Sequence, residues 1–208
     1  MSKQGIVFGP WVGEFGWELF SWQAYCRSIS RKYQKVIVIS RPGNDFLYSD
    51  FCDEYLPFEP PEGGVVDSHM NSNVGEFNVI EFLKTTVPLE LLNECQWSWL
   101  QPSKIGNPPY DHWRAPVSIP GFGDVTPEYR LYRSHSRRNV DVVIHARNRK
   151  IRKIDNWSAT AWAELVNMFP KGTSVACIGR KEESLHLDGT IDARGYCLEQ
   201  TVALLSSA

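Results

Sequence analysis

Residues 5–40 carry the pattern that decides the fold, GIVFGPWVGEFGWELFSWQAYCRSISRKYQKVIVIS. Residues 5–9 are a short apolar run closed by glycine and residues 35–40 are rich in β-branched side chains, so both predict buried strands. Residues 10–16 predict a glycine-rich turn, and apolar side chains spaced three or four apart over residues 17–33 predict a helix. Because one crossover helix joins two buried strands, we expect a βαβ unit with parallel strands.

A second α/β pattern follows a proline-rich stretch. Six prolines between residues 100 and 127 predict an extended connector or a domain boundary. Beyond it, residues 140–146 and 173–178 predict strands, Ser158 predicts a helix N-cap, and residues 190–195 predict a short strand and turn. We therefore predict two α/β domains, with the first over residues 1–125 and the second over residues 126–208.

The pattern upstream of the prolines is less regular. Residues 45–51 predict a short helix, residues 55–58 a short strand and residues 59–74 a loop. Residues 77–87 and 88–95 predict two helical pieces, the second opened by a proline. At the other end of the chain, residues 197–208 predict an amphipathic helix without a stop signal.

Composition places the chain among globular proteins of a reducing compartment. Its 208 residues are 42% hydrophobic and 22% charged, and no apolar run reaches the length of a transmembrane helix. The N-terminus lacks the apolar region of a signal peptide, so we expect a cytoplasmic location. The five cysteines are scattered without a C-x-x-C pair, which predicts reduced thiols.

The charges are distributed unevenly along the chain. Residues 45–94 contain eleven acidic side chains and one basic side chain, whereas residues 130–153 contain nine basic side chains and one acidic. The net charge is −2 and the isoelectric point is about 6.2, values that do not favour a nucleic-acid-binding domain. We expect the basic stretch to bind a small phosphorylated ligand.

The glycine-rich turn is the first candidate site. Glycines at the carboxyl end of a buried strand let the chain turn at the edge where α/β proteins bind ligands. Glu14 or Glu18 at this edge is a candidate general base for a hydroxyl group. The alternative is that these carboxylates only offset the dipole of the helix that follows. The turn matches neither a P-loop nor the G-x-G-x-x-G motif.

The second candidate site is the basic segment, residues 145–153 (HARNRKIRK), which leaves a predicted strand at its carboxyl end. Arginine grips phosphate with paired hydrogen bonds and lysine adds a point charge, so five cations here suit a diphosphate. A solvated basic loop is the alternative. His145 is a candidate catalytic residue, or else a histidine satisfied within the core.

Two shorter signals lie further along the chain. Gly179 ends a predicted strand and precedes Arg180, and a glycine there allows a ligand to approach the backbone. Residues 192–195 (DARG) are typical of a simple turn with an internal ion pair. No D-x-D, H-E-x-x-H or paired-cysteine motif occurs, so we expect arginine and lysine to act in place of a metal ion.

Together these motifs resemble glycosyltransferases of the two-Rossmann (GT-B) type, and most closely heptosyltransferase-like and fucosyltransferase-like enzymes. The resemblance lies in the glycine-rich turn, the H-x-R segment, the N-W-S helix start, the strand ending in Ile-Gly and the D-x-R-G turn. It implies two Rossmann-like domains, a nucleotide-diphosphate sugar bound by the second, a carbohydrate acceptor bound by the first, and no separate cofactor.

The resemblance also implies roles for individual residues. Glu14 or Glu18 is the implied base, with His145 as a further catalytic candidate. The residues expected on the donor phosphates are Arg147, Asn148, Arg149, Lys153, Gly179 and Arg180. The residues expected on the acceptor side are Gly13, Gly16 and Trp17, and no metal ligand is expected.

This chain departs from the GT-B pattern at its end. Such enzymes continue with another glycine-rich strand–turn–helix that grips the nucleotide, whereas these 208 residues stop before it. We therefore expect an incomplete second domain and a partner chain or self-association there. A non-catalytic binding protein on a truncated scaffold and a sugar-nucleotide epimerase are the alternatives to sugar transfer.

Overall fold

A computed structural model describes residues 3–13, 15–59, 77–105, 115–132, 139–150 and 153–208. The chain forms two compact units, Met1–Arg130 and Leu131–Ala208. Both units contain a parallel sheet with helices in the connections, so the α/β class is confirmed.

The first unit is organised by a four-stranded parallel sheet. Its strands are β1 (Lys3–Phe8), β2 (Lys35–Ser40), β3 (Glu54–Pro57) and β4 (Cys95–Leu100), in the order β3-β2-β1-β4. The strand order reverses between β1 and β4, which in open α/β sheets is the place where ligands bind at the carboxyl edge. The predicted strands β1, β2 and β3 are confirmed.

Strand β4 was not predicted from the sequence. Its burial is intermediate over most of its length and its two tryptophans alternate with polar residues, so it lacks the continuous apolar run of a buried strand. The main chain of β4 nevertheless pairs with β1 along six residues. Trp99 also donates an indole hydrogen bond to the carbonyl of Gly9, at 2.7 Å, just beyond the end of β1.

A helical segment follows β1, close to where the sequence predicted it. It consists of α1 (Phe15–Trp17), a π-helical stretch (Glu18–Trp22) and α2 (Gln23–Ser30). The π-helical stretch was not predicted. Such wide turns are rare and commonly occur at functional positions. Trp22, within that stretch, packs edge-on against Phe8 with ring centroids 6.2 Å apart.

Two further helices cover part of the same sheet. Helix α3 (Val79–Thr86) begins at Asn78, whose side chain accepts two main-chain hydrogen bonds from the first turn, and α4 (Leu89–Glu94) follows Pro88. Both confirm the predicted helical pieces. Residues of α3 share one hydrophobic cluster with β1, β2 and β3, made of Val7, Ile37, Ile39, Leu56, Val79, Leu83 and Val87.

In the irregular part of this unit, the structure differs from two of the predictions. The predicted short helix is a 3-10 turn over Asp45–Leu47. Part of the proline-rich stretch folds as an antiparallel hairpin, β5 (Val117–Ile119) and β6 (Gly123–Val125), rather than as an extended connector. This part lies on α2, since Tyr25 donates a hydrogen bond to the carbonyl of Ala115 at 3.1 Å. The predicted loop over residues 59–74 lies almost entirely outside the described residues.

The second unit holds a three-stranded parallel sheet. Its strands are β7 (Val142–Ile144), β8 (Val175–Cys177) and β9 (Ile191–Asp192), in that order. Helix α5 (Ala159–Asn167) connects β7 to β8, and α6 (Leu198–Ser206) follows β9. Ser158 caps α5 as predicted, because its Oγ accepts a hydrogen bond from the amide of Ala161 at 3.1 Å. Within the described residues, no helix is both long and apolar enough to cross a membrane.

Candidate functional site

Three chain segments meet at the carboxyl edge of the second unit's sheet. His145 follows β7, Gly179 follows β8 and Gly195 follows β9, and parallel strands place these ends at one edge. The amide of Gly195 donates a hydrogen bond to the carbonyl of Gly179 at 2.8 Å. The sequence-predicted residues His145 and Gly179 are therefore brought together.

The position of His145 explains why residue 179 is glycine. Gly179 has a φ of +115°, and a Cβ there would lie 2.7 Å from Cδ2 and Nε2 of the imidazole ring and 2.8 Å from Oγ of Ser184. Any side chain would therefore be strained and would displace the ring. This glycine was predicted to let a ligand approach the backbone, whereas the group that lies against it in the structure is the imidazole of His145.

The basic segment is held by hydrogen bonds on both sides. The amide of Asn148 donates to the carbonyl of Glu183 at 2.7 Å, and the amide of Leu185 donates to the carbonyl of Ala146 at 2.8 Å. Asn156 forms two hydrogen bonds with the main chain of Arg149, one accepted at 3.1 Å and one donated at 2.8 Å. These contacts fix the main chain that carries Arg147 and Arg149, unlike a loose solvated loop.

The guanidinium groups of Arg147 and Arg149 remain available to an anion. The side chain of Arg147 is 38% exposed, and its Nη1 lies 3.8 Å from Oδ2 of Asp155, beyond hydrogen-bond distance. Neither Arg147 nor Arg149 donates a side-chain hydrogen bond to the residues that the structure describes. Other cations are exposed in the same segment and after β8: Lys150, Lys153, Arg180 and Lys181. Asn148 is also exposed.

His145 has an altered acidity. Partial burial of the imidazole, with the positive charges of Arg147 and Arg149, lowers the pKa of His145 below its ordinary 6.5, while Glu183 opposes the change. The ring is therefore predominantly neutral at pH 7, and a neutral imidazole is able to accept a proton. This state suits the catalytic role predicted for it.

The residues after β9 form a structural turn. Arg194 grips Asp192 with two hydrogen bonds of 2.7 and 2.9 Å and donates a third to the carbonyl of Ser184 at 2.9 Å. The guanidinium of Arg194 holds the pKa of Asp192 well below its usual range. The internal ion pair predicted for residues 192–195 is present, and it ties this turn to the one after β8.

The glycine-rich turn of the first unit meets the end of β2 closely. Gly9 has a φ of +110°, and a Cβ there would lie 2.2 Å from the carbonyl oxygen of Ile39. The amide of Trp11 donates to that same oxygen at 3.0 Å. Gly13 is buried, and Gly16 and Trp17 are half-buried, whereas Glu14 lies outside the described residues.

Glu18 lies at the centre of a buried polar cluster. Its side chain has no exposed surface. One carboxylate oxygen accepts hydrogen bonds from the hydroxyls of Ser40 and Tyr48, the latter at 2.5 Å, and the other accepts from the side-chain amide of Asn44 at 2.6 Å. Ser40 ends β2, and Asn44 and Tyr48 flank the 3-10 turn that follows. Glu18 therefore joins the helical segment after β1 to the segment after β2.

Burial dominates the acidity of this carboxyl group. Loss of hydration raises the pKa of Glu18 from 4.5 to about 7, against the hydrogen bonds from Ser40, Tyr48 and Asn44 and the charge of Arg41, which lower it. A carboxyl group without exposed surface does not touch a ligand, so in this structure Glu18 positions its partners. These three partners were not predicted from the sequence, although polar residues directly after a buried strand are a usable signal.

Neither a metal site nor a known relative assigns a function to these two sheet edges. Among the described residues, no three His, Cys, Asp or Glu side chains form a group able to hold a metal ion. Comparisons of the chain with protein-family models, with curated proteins and with solved structures found no match. The function is therefore inferred from the contacts at the carboxyl edges of the two parallel sheets.

Proposed function

We propose that this protein transfers a sugar from a nucleotide-diphosphate donor to an acceptor hydroxyl group. The observation that carries the proposal is the basic segment, whose main chain is held at the carboxyl edge of the sheet β7-β8-β9 while Arg147 and Arg149 keep hydrogen-bond donors for an anion. A diphosphate is the donor group whose charge and geometry these side chains fit.

In the reaction, the acceptor oxygen forms a bond to the anomeric carbon of the sugar, and the bond from that carbon to the phosphate oxygen breaks. The nucleoside diphosphate leaves with the electron pair. Arg147 and Arg149 stabilise its added negative charge, a role that divalent metal ions also fill in phosphate chemistry. We therefore expect transfer to survive addition of a chelator.

The proton of the acceptor hydroxyl passes to a base as the new bond forms. His145 supports this role because its pKa is lowered and the residue, two positions before Arg147, still reaches solvent. Glu18 is given a positioning role instead, since its carboxyl group has no exposed surface. Glu14, the other predicted base, lies outside the described residues and stays a candidate for the same role.

The burial of Glu18 also favours a second candidate function. A protein that binds a nucleotide sugar without turning it over needs the phosphate-binding edge and no base in the glycine-rich turn. Product analysis separates the two: a new glycoside or released nucleoside diphosphate supports transfer, and binding without either product supports the binding protein.

The test of the phosphate site is calorimetry with a panel of nucleotide-diphosphate sugars. Arg147→Gln removes the guanidinium and keeps a polar side chain, so we expect affinity to fall by about tenfold or more, as for a lost charge-assisted hydrogen bond. Lys171→Gln is the matched control, because Lys171 is an exposed cation at the opposite, amino end of β8. Equal affinities of the two variants, or no binding to the wild type, would contradict the proposal.

A further inference from the structure

An exposed tryptophan lies beside the basic segment. Trp157 is 58% exposed, although tryptophan is costly to leave in water. Its ring contacts that of Trp162, with centroids 4.9 Å apart and planes inclined by 35°. Trp162 belongs to α5 and packs against the hydrophobic cluster of the second unit. Trp157 is thus an aromatic surface supported from the core side and open to solvent.

Two contacts connect this tryptophan to the phosphate-binding arginines. The side chain of Asn156 is hydrogen-bonded to the main chain of Arg149, and the carboxylate of Asp155 is 3.8 Å from the guanidinium of Arg147. Residues 155 and 156 therefore run alongside residues 147 to 149, and Trp157 is the next residue. The open ring and the cations belong to one surface.

We propose that Trp157 stacks on the nucleobase of a nucleoside diphosphate whose phosphates bind Arg147 and Arg149. This inference rests on the proposed function and names the part of the donor that the protein grips besides its phosphates. A nucleobase is planar and is connected through ribose to the phosphates, which matches an aromatic face next to a cationic segment. Because Trp157 is supported by Trp162, little side-chain freedom is lost when the base binds.

Calorimetry with three probes tests this assignment: inorganic pyrophosphate, uridine diphosphate and adenosine diphosphate. We expect Trp157→Ala to lower the affinity for both nucleotides by about tenfold, as for a lost base–aromatic contact, and to leave the affinity for pyrophosphate unchanged. Trp157→Phe keeps an aromatic face and should restore most of the affinity. Met168→Ala removes another exposed apolar side chain of the same unit, 80% exposed, and should change none of the three affinities.

The outcomes separate this inference from the proposed function. The stacking role is wrong, while the phosphate site stands, in either of two cases. In the first, the nucleotides bind no more tightly than pyrophosphate; in the second, Trp157→Ala lowers the affinity for pyrophosphate as much as the affinity for the nucleotides. If the wild type binds none of the probes, the proposed function fails and the inference fails with it. Quenching of tryptophan fluorescence by the nucleotides, reduced in Trp157→Ala, provides a second readout that supports stacking.

Discussion

The buried carboxyl group of Glu18 makes the stability of the first unit depend on pH. The native protein binds the proton of Glu18 with a pKa of about 7, whereas the ordinary value is 4.5. Because the folded state holds this proton more tightly than the unfolded chain, the contribution to stability is complete below pH 4.5. It is lost as pH rises through about 7.

The magnitude follows from these two values. The gap between 4.5 and about 7, at about 1.4 kcal/mol for each pH unit, corresponds to about 3 kcal/mol in the free energy of unfolding. Roughly 2–3 kcal/mol of this falls between pH 5 and 8, because the unfolded carboxyl group is already mostly ionised at pH 5. At a urea slope of about 2 kcal/mol/M, this is a change of roughly 1 M in the midpoint.

The perturbation is Glu18→Gln, which keeps the size of the side chain, resembles its protonated form and removes its ionisation. Urea unfolding followed by fluorescence at pH 5, 6, 7 and 8 measures the difference between wild type and variant. Other groups, such as His145 with its lowered pKa, titrate in both proteins and cancel in the difference. We expect the free energy of unfolding of the variant to gain about 2–3 kcal/mol relative to the wild type as pH rises from 5 to 8.

A control and a direct readout accompany the measurement. Glu90→Gln, at an exposed carboxylate of α4, should give a curve parallel to that of the wild type. The infrared carbonyl band of a protonated carboxyl group should be present at pH 6 in the wild type and absent in Glu18→Gln. Parallel unfolding curves for wild type and Glu18→Gln between pH 5 and 8 would refute the reasoning.

Two further predictions concern the first unit. Gly9→Ala should destabilise this unit by roughly 2–4 kcal/mol in thermal or urea unfolding, because the new Cβ would meet the carbonyl of Ile39 in a backbone conformation that alanine avoids. An unfolding midpoint equal to that of the wild type would contradict this prediction. Arg27→Ala should cost about 3–5 kcal/mol, because its fully buried guanidinium donates hydrogen bonds to the main-chain carbonyls of Leu47 at 3.1 Å and Glu128 at 2.9 Å, and the variant leaves these acceptors unpaired beside a cavity. Arg31→Ala, at an exposed ion pair, should change stability little, and similar losses in these two arginine variants would count against the buried network.

Local patterns in the sequence were sufficient for much of the fold. Strands β1 and β2 were predictable because continuous β-branched and apolar runs are typical of strands buried on both faces. The start of α5 was predictable because a serine hydroxyl satisfies a main-chain amide within one helical turn. The ion pair of Asp192 and Arg194 was predictable for the same reason, since its two partners are two residues apart.

Long-range pairing decided part of the rest. Strand β4 has no continuous apolar run, and it is a strand because β1 offers it a complete row of main-chain partners. This strand could not be predicted from its neighbours, because its partner β1 is distant along the chain. The hairpin β5-β6 is different: its strands pair across a short turn at Pro120 and Gly121, a local signal that the density of prolines around it obscured.

The two candidate sites divide in the same way. The sequence by itself determined which chemical groups are present: a cluster of cations after one strand and a carboxylate after another. Only the tertiary structure decided that Glu18 is sealed among Ser40, Asn44 and Tyr48 while Arg147 remains exposed. Burial and hydrogen bonding arise from segments distant along the chain, and these set whether a charged group supports the fold or meets a ligand.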